Sequence, residues 1–410
     1  MPKFTSTHLA IGVLLVLAFV PRFWNLHGLA DVVFDEVYYP EFAQKYLIGG
    51  QFFDAHPPLG KYLIALGIQL FGYHPWGYRW MSALAGALVP IVVYSLVHKW
   101  SRRPQLAWLA AIFTCCDGLL LVESRYGLIN IFLVLFGLIS QWSLWSALFA
   151  PQPQSRWLWV MATGLFLGAS ISVKWTGLGY WLASLSLLLW TLVYCHRSLP
   201  WYQILVGLGI IPAIFYLGQW LPHLRIATAA SLIELHQQMW SFHQNLGTGE
   251  PLLSHPYCSQ WWTWSLNIRP VAYFYDFRDL GIAHVLAMGN PLLYWFSTGA
   301  VLYAMVRGKL HRLTHGLAGY ACSSWLVNLL PWALTPRCTF IYHYMPASIF
   351  AFICLAIVAD LCLKNSHLLT AGIIICAGVS VAFVLWLPIY IGLPIPPIYW
   401  RMLIWFPTWL

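Results

Sequence analysis

Two neighbouring carboxylates are the side chains of this sequence best suited to chemistry. Asp35 and Glu36 follow directly after the first long apolar run of the chain. A loop in that position can hold them over a cavity between helices, where a carboxylate can accept the proton of a reacting hydroxyl group. Position alone favours a plainer interpretation, a solvated acidic loop, because acidic side chains in loops are usually exposed.

A second polar group follows some twenty residues later. Residues 54–61 read Asp-Ala-His-Pro-Pro-Leu-Gly-Lys and bring Asp54 and His56 into a proline-rich turn. His255 and His343 lie in similar short segments further along the chain. These four side chains can hydrogen-bond a polar ligand. A single histidine in such a turn is as often a structural contact.

Three cations fall near the ends of predicted apolar spans. They are Arg125, Lys174 and Arg337. A cation buried without a partner is costly at a membrane boundary, and a phosphate group is one partner that would satisfy it. The structural alternatives are a side chain that snorkels to the interface and, for Arg125, an ion pair with Glu123 or Asp117.

Metal chemistry has little support in the sequence. His236 and His243 are two helical turns apart, but nothing completes a tetrahedral set at suitable spacing. The nine cysteines show no zinc-like spacing, and we interpret them as mostly inert apolar residues. We expect no metal site and no cofactor, while a requirement for a divalent metal stays open.

The elements that position these groups must be membrane helices. Of 410 residues, 60% are hydrophobic and only 8% are charged, whereas a soluble domain carries about 25% charged residues. Apolar runs of about 20 residues, the length that spans a bilayer, recur along the chain. The eleven predicted spans cover residues 8–26, 79–98, 104–122, 127–149, 157–173, 177–195, 201–220, 289–306, 316–334, 344–363 and 368–387.

The distribution of basic residues predicts a cytoplasmic N-terminus. In that orientation Asp360 is the only Asp or Glu on the cytoplasmic side, and ten of the 21 Lys and Arg residues lie there in short loops. These ten are Lys3, Lys99, Arg102, Arg103, Arg156, Arg197, Arg307, Lys309, Arg312 and Lys364. The carboxylate chemistry is therefore predicted on the outer face. The net charge of +9 suits a phospholipid surface, and no basic run on a soluble module indicates nucleic acid.

The chain is predicted to form a single membrane domain, 1–410, with two longer outer segments. The first, 25–78, contains the acidic pair and two stretches, 37–47 and 59–71, that are expected to form helices at the membrane interface. The second, 221–288, is rich in Trp, Pro and His and is expected to lie on the membrane, where its aromatic rings suit the headgroup region.

These motifs resemble the protein O-mannosyltransferase family. The family carries Asp-Glu after its first span, as at Asp35 and Glu36, and then an element like residues 54–61. Further matches follow in the family's order over most of the chain. They are Arg-Trp-Met-Ser-Ala-Leu-Ala-Gly at 79–86, Glu-Ser-Arg-Tyr at 123–126, Ser-Val-Lys-Trp-Thr-Gly at 172–177, His-Pro-Tyr at 255–257, Gly-Asn-Pro at 289–291 and Phe-Ile-Tyr-His-Tyr at 340–344.

The resemblance implies an all-α polytopic C-type membrane glycosyltransferase (GT-C) fold and a polyprenyl-phosphate mannose donor. The segment 221–288 is too short for the soluble β-trefoil insert of eukaryotic members, which points to a bacterial-type member in the plasma membrane. The family often has Asp a few residues after the Ser-Arg-Tyr element, where this chain has Asn130. We therefore assign no function to Asn130 from the resemblance.

With this resemblance, mannose is expected to pass to Ser or Thr hydroxyls of proteins, with inversion. A glycosyl phosphate has a good leaving group, so one base suffices, unlike the carboxylate pair of glycosidases. Asp35 is expected to be that base and Glu36 to orient the loop or acceptor. Arg125, Lys174 and, more weakly, Arg337 are expected at the donor phosphate. The residues expected to contact the sugar or the acceptor are Asp54, His56, His255 and His343.

Two alternatives stay open. A related enzyme that transfers another sugar, such as aminoarabinose, to a lipid would share the fold and the acidic loop. A secondary transporter would need paired broken helices in two related halves and ionisable groups near the bilayer midplane. The sequence has neither feature.

Overall fold

The computed structural model describes residues 6–227, 231–245, 255–307 and 312–410. Within these residues the chain is mostly helical. Lys3 and Lys309, two of the basic residues that predict the orientation, lie outside the described residues, as do 228–230 and 246–254 of the second outer segment.

The first half of the chain is built from apolar helices joined by short connections. The helices, in chain order, are α1 Ser6–Phe23, α2 Tyr39–Ile48, α3 Leu59–Phe71, α4 Pro75–Ser101, α5 Pro104–Cys115, α6 Gly118–Arg125, α7 Asn130–Leu148, α8 Pro153–Val173 and α9 Leu178–Cys195. A 3₁₀ turn, Phe34–Val37, precedes α2, and another, Trp175–Gly177, joins α8 to α9.

The second half begins with α10 Trp201–Leu205, which continues through a π-helical turn, Val206–Ile210, into α11 Ile211–Gly218. The later helices are α12 Leu221–Leu224, α13 Leu232–Asn245, α14 Trp261–Trp264, α15 Pro291–Arg307, α16 Arg312–Leu329, α17 Met345–Lys364, α18 Leu369–Ile391 and α19 Pro397–Leu403. Short 3₁₀ turns occupy Leu330–Leu334, Ile341–Tyr344 and Pro407–Trp409.

The helices identify a multi-pass membrane protein. By length and composition, seven helices of the described chain can cross a membrane, or up to eight if α5 and α6 form one bent span. Shorter apolar helices lie at Ala10–Phe23, Leu59–Phe71 and Pro291–Val306. The number of eleven spans stays a prediction.

The bend between α5 and α6 measures 59° and lies next to Asp117. This carboxylate caps α6, because its Oδ2 accepts a hydrogen bond of 3.1 Å from the backbone N–H of Leu120. Such a cap satisfies one of the free N–H groups at a helix start. The bend sends the last residues of α6 to the loop that follows α1.

The helix α17 forms the centre of the bundle. It contacts α5, α15, α16 and α18, and its side chains from Met345 to Ile357 are buried. This packing fixes the 3₁₀ turn Ile341–Tyr344 at the amino end of α17. The turn and the carboxyl end of α8 border the same cavity.

A β-hairpin accompanies the helices of the bundle. Strands β1 Val271–Arg278 and β2 Gly281–Ala287 pair antiparallel, and Ile282 of β2 exchanges two backbone hydrogen bonds with Ile395 of the C-terminal tail. Gly281 has a φ of 129°, and a Cβ there would lie 2.1 Å from the carbonyl oxygen of Ile395. The aromatic residues of β1, which belong to the segment 221–288 expected on the membrane, lie on a strand.

A disulfide bond between Cys258 and Cys338 corrects the interpretation of the cysteines. The two residues are 80 positions apart, so spacing gave no basis for pairing them. Two hydrogen bonds between Ser259 and Thr339, of 2.8 and 2.7 Å, reinforce the link. The seven remaining cysteines are free and lie buried or half-buried.

Candidate active site

A cavity of about 590 Å³ lies between the first outer loop, the end of α8, α13 and the segment before α17. Carboxylates, cations, imidazoles and aromatic rings share its wall. Seven of the nine predicted site residues line it. They are Asp35, Asp54, His56, Lys174, His255, Arg337 and His343.

Asp35 stands in the cavity wall on the 3₁₀ turn Phe34–Val37. The preceding residue, Phe34, has a φ of 43°, a left-handed conformation that costs a residue with a Cβ about 1–2 kcal/mol. Burial raises the pKa of Asp35 to about 6, although the charge of Lys174 acts in the opposite direction. The carboxylate is therefore a stronger base than an exposed Asp and is still mostly ionised near neutral pH.

Two cations face the same cavity. Lys174 directly follows α8, is 5% exposed, and holds its Nζ 5.4 Å from the centre of the Tyr342 ring. Burial lowers the pKa of Lys174 to about 8, and the neighbouring charges of Asp35 and Glu123 limit the drop. Arg337 lies on the segment before α17. Together the two side chains provide positive charge for an anionic ligand.

Asp54 is held by an ion pair with Lys61, whose side chain is fully buried. The Nζ of Lys61 also donates to the carbonyl oxygens of His56, at 2.9 Å, and Pro57, at 2.6 Å. The backbone N–H of His56 donates to Asp54 Oδ1 at 3.2 Å. The residues 54–61 thus fold into a turn closed by its own first and last side chains, with Asp54 and His56 at the cavity.

The His56 imidazole packs against His243 of α13, with ring centres 5.3 Å apart. Burial and the charges of Lys174 and Lys61 lower the pKa of His56 well below its usual value. His56 is therefore neutral at physiological pH. A neutral imidazole offers one hydrogen-bond donor and one acceptor to a bound ligand.

The two remaining predicted histidines lie in aromatic surroundings. His255 meets the Phe34 and Phe340 rings edge-on, at 6.0 and 5.1 Å. The ring of His343 lies 4.1 Å from that of Trp332. Its Nδ1 is 2.9 Å from the carbonyl oxygen of Phe340, so only its other nitrogen remains for a ligand.

Glu36, which is expected to orient the loop or the acceptor, does not line the cavity. Its carboxylate is fully buried and forms a two-point ion pair with Arg79 of α4, with both contacts at 2.7 Å. It also accepts from the backbone N–H of Gly127 at 2.7 Å. Glu36 therefore holds the first outer loop against α4, which is the loop-orienting role expected of it.

Arg125, expected at the donor phosphate, also lies outside the cavity lining. It donates to the carbonyl oxygens of Pro21 at 2.6 Å and Trp24 at 2.8 Å. Free carbonyls at a helix end need such partners. Arg125 satisfies the end of α1, and neither Glu123 nor Asp117 is its ion-pair partner.

Helix α13 also contributes to the cavity wall. Phe242 and His243 line the cavity, and His243 Nε2 is 2.9 Å from the carbonyl oxygen of Ala55. His236 pairs with the Tyr216 hydroxyl at 2.8 Å. Within the described chain, no three His, Cys, Asp or Glu residues are grouped to hold a metal ion. The spacing of apolar residues in the sequence predicts a helix here, but it does not indicate which face of that helix borders the cavity with Asp35.

Comparison with known families decides the assignment. The model for dolichyl-phosphate-mannose-protein mannosyltransferases matches residues 12–75 and 75–228, and the model for the C-terminal four-transmembrane region of protein O-mannosyltransferases matches 228–409. The chain belongs to the protein O-mannosyltransferase family. The resemblance drawn from the motifs is thereby confirmed.

Relatives of this protein O-mannosyltransferase extend over its full length. A polyprenol-phosphate-mannose–protein mannosyltransferase of Mycobacterium tuberculosis is 27% identical and covers 97% of this chain and 91% of its own. The enzyme of the same description from Corynebacterium glutamicum is also 27% identical and covers 100% and 95%. The chain is thus an enzyme of the glycosyltransferase class, and the transporter hypothesis is set aside.

Solved structures confirm the GT-C fold of the protein O-mannosyltransferase chain. The Saccharomyces cerevisiae Pmt1–Pmt2 complex bound to the sugar donor superimposes with a TM-score of 0.86 at 17% identity, over 100% of this chain and 93% of that one. ArnT from Cupriavidus metallidurans bound to undecaprenyl phosphate gives 0.61 at 15% identity, over 94% and 75%.

Proposed function

We propose that this enzyme transfers mannose from polyprenyl-phosphate mannose to Ser or Thr hydroxyls of proteins, with inversion and with Asp35 as the base. One observation carries the proposal. A single cavity joins the Asp35 carboxylate to two cations, Lys174 and Arg337. This is the charge pattern required by a phosphate leaving group on one side of a sugar and a hydroxyl nucleophile on the other.

The proposed reaction is one displacement. The acceptor oxygen attacks the anomeric carbon, its bond to that carbon forms, and the bond from the carbon to the phosphate oxygen breaks. The hydroxyl proton passes to Asp35, and the electron pair leaves with polyprenyl phosphate. Attack opposite the phosphate converts a β-linked donor into an α-linked product.

The charges of the cavity favour each half of this displacement. With a pKa of about 6, Asp35 is ionised at neutral pH and accepts the proton as the hydroxyl develops positive charge. Lys174 and Arg337 neutralise the negative charge that grows on the leaving phosphate. No general acid is required, because the phosphate leaves without protonation.

The remaining polar groups at the cavity are assigned to the sugar and the acceptor. His56 and His255 are neutral, because burial lowers the pKa of each, and neutral imidazoles can bind sugar hydroxyls without adding charge. Asp54 is neutralised by Lys61 and can accept a hydrogen bond from a sugar hydroxyl. His343 offers its second nitrogen beside Trp332.

We further propose that the cavity opens on the outer face of a bacterial plasma membrane, with a cytoplasmic N-terminus. The count of basic residues in short loops supports this orientation. The Cys258–Cys338 disulfide supports it independently, since disulfide bonds persist in oxidising compartments. Asp360, the acid predicted on the cytoplasmic side, pairs with Arg103 and Lys364, two of the basic residues predicted there.

The proposal is tested by incubating the purified protein with polyprenyl-phosphate mannose and a Ser/Thr-rich peptide. Mass spectrometry is expected to detect a hexose on the peptide, and NMR is expected to show an α linkage. A parallel reaction supplies polyprenyl-phosphate aminoarabinose and a lipid acceptor, the reaction of the alternative enzyme. Product only in the second reaction, or a β-linked peptide product, contradicts the proposal.

A further inference from the structure

A buried hydrogen-bond network lies outside the cavity lining but close to the Asp35 turn. At its centre is Glu123, near the end of α6, which is fully buried. One carboxylate oxygen accepts from the hydroxyl of Tyr273 on β1. The other accepts from Asn130 Nδ2, at the start of α7, at 3.0 Å. One carboxylate thus joins α6, α7 and the hairpin.

The Tyr273 ring connects this network to the 3₁₀ turn that carries Asp35. It stacks on the ring of Phe34, with ring centres 4.5 Å apart and planes 4° from parallel. His255, Phe340 and Tyr342 contact the same Phe34 ring edge-on, at 6.0, 6.1 and 6.1 Å. The Phe34 ring is therefore packed on several sides. Phe34 directly precedes Asp35 in the chain.

The backbone conformation of Phe34 explains why its ring must be held by these contacts. Its φ of 43° belongs to the left-handed region, which a residue with a Cβ rarely adopts. Conformations of this kind persist where the surrounding structure fixes them, and they cluster at functional sites. If the ring were released, Phe34 would relax to an ordinary φ and the Asp35 carboxylate would turn with it.

We propose that Glu123 and Tyr273 are positioning residues for the transfer reaction. The carboxylate fixes the Tyr273 hydroxyl, the Tyr273 ring fixes Phe34, and the left-handed turn directs Asp35 at the acceptor hydroxyl. This inference rests on the proposed role of Asp35. Neither positioning residue lines the cavity, and the Tyr273 ring reaches Asp35 through Phe34.

Asn130 has a defined part in the same network. Its amide donates to Glu123. Asn130→Leu removes this donor and leaves one oxygen of the buried carboxylate without that partner. The variant is expected to lower kcat, with little change in the donor KM.

Tyr273→Phe removes the hydroxyl and leaves the ring. We expect kcat to fall on the order of 10- to 100-fold, the cost of a small misplacement of a reacting group, while the donor KM stays within about twofold. Tyr320→Phe is the matched control, because it removes another buried tyrosine hydroxyl, bonded to Gln141 at 3.3 Å. The control is expected to keep its kcat. Glu123→Gln, which retains an acceptor oxygen, is expected to lose less kcat than Glu123→Ala.

The deciding experiment is a double-mutant cycle of Tyr273→Phe with Asp35→Asn, measured as kcat on protein that is monodisperse in detergent. If Tyr273 acts through Asp35, Tyr273→Phe changes kcat by less than about twofold in the Asp35→Asn background. The same loss in both backgrounds overturns the inference and leaves Tyr273 a structural residue. If Tyr273→Phe does not fold, Phe34→Leu, which removes the stack and leaves Glu123 paired, takes its place.

The cycle also separates this inference from the proposed function. Normal kcat in Asp35→Asn alone refutes the base and, with it, the positioning role. A large loss in Asp35→Asn, together with effects that multiply, refutes the positioning role only.

Discussion

Glu36 and Arg79 face one another through two parallel hydrogen bonds, each 2.7 Å long. Both side chains are fully buried. Arg79 also donates to three carbonyl oxygens of the loop 26–31. One arginine of α4 thereby closes the loop that leads to Asp35. The two adjacent acids of the sequence therefore have different surroundings, since Asp35 lines the cavity and Glu36 pairs with Arg79.

Glu36→Gln is expected to destabilise the protein by about 3–5 kcal/mol, because Arg79 loses its charged partner while buried. Thermal unfolding in detergent measures the change. Glu41→Gln is the control, since Glu41 pairs with Lys45 at the surface and such pairs contribute about 0.3–0.5 kcal/mol. A Glu36→Gln protein of normal stability but strongly reduced kcat would return Glu36 to the group of catalytic residues.

Lys174→Ala and Arg125→Ala are expected to differ. Loss of Lys174 removes a charged contact worth about 1.5–3 kcal/mol, so the donor KM rises on the order of 10- to 100-fold with little change in the peptide KM. Loss of Arg125 frees the carbonyls at the end of α1 and lowers the melting temperature without changing the donor KM. Steady-state kinetics with varied donor, beside melting curves, checks both. Equal donor KM values in wild type and Lys174→Ala contradict the phosphate assignment.

The pH dependence follows from two shifted groups. Asp35 must be ionised to accept a proton, so kcat/KM for the donor falls as the pH drops through about 6, the pKa to which burial raises this carboxyl. Lys174 must be protonated to attract phosphate, so kcat/KM falls again as the pH rises through about 8, the pKa to which burial lowers this amine. The profile is therefore bell-shaped.

Lys174→Arg is the control for the alkaline side. A guanidinium group stays charged to a pKa above about 12, so this variant is expected to lose the alkaline limb and keep the acidic one. A wild-type profile that is flat between pH 5 and 7 would contradict the role of Asp35.

Reduction of the Cys258–Cys338 disulfide is expected to weaken donor binding. Cys338 adjoins Arg337, and the bond ties the Arg337 segment to the loop that carries His255. A reductant is expected to raise the donor KM by up to about tenfold, which equals about 1.4 kcal/mol. A Cys258→Ser/Cys338→Ser protein is expected to have the raised donor KM without reductant, and reductant is expected to cause no further change. Full reduction, verified by thiol counting, with an unchanged KM rules out this contribution.

Much of the bundle was predictable from the sequence, because an apolar run of about 20 residues has few alternatives to a membrane helix. The motif at 54–61 and the acidic pair were noted together in the sequence, and Asp54, His56 and Asp35 do line one cavity. Within 54–61 the turn is closed by local contacts, since Lys61 pairs with Asp54 and bonds the carbonyl oxygens of His56 and Pro57.

The misses share a different cause, which is contact between distant segments. Composition cannot tell a cation that faces a cavity from one that bonds the end of a helix, and Arg125 and Lys174 look alike until α1 is placed beside α6. The disulfide joins residues 80 positions apart. The hairpin was hidden because its aromatic residues suit a membrane surface as well as a strand. The contact between Tyr273 and Phe34 joins residues far apart in the chain, so the sequence does not indicate it.

The turnover of Asp35→Asn tests the base assignment most directly. The substitution keeps the shape of the side chain and removes its charge. With polyprenyl-phosphate mannose and peptide, kcat is expected to fall on the order of 100- to 10,000-fold, the usual cost of losing a general base, while donor binding and the melting temperature stay near those of the wild type. A folded Asp35→Asn enzyme that binds donor and turns over at a near-normal rate would contradict the role of Asp35 as the base.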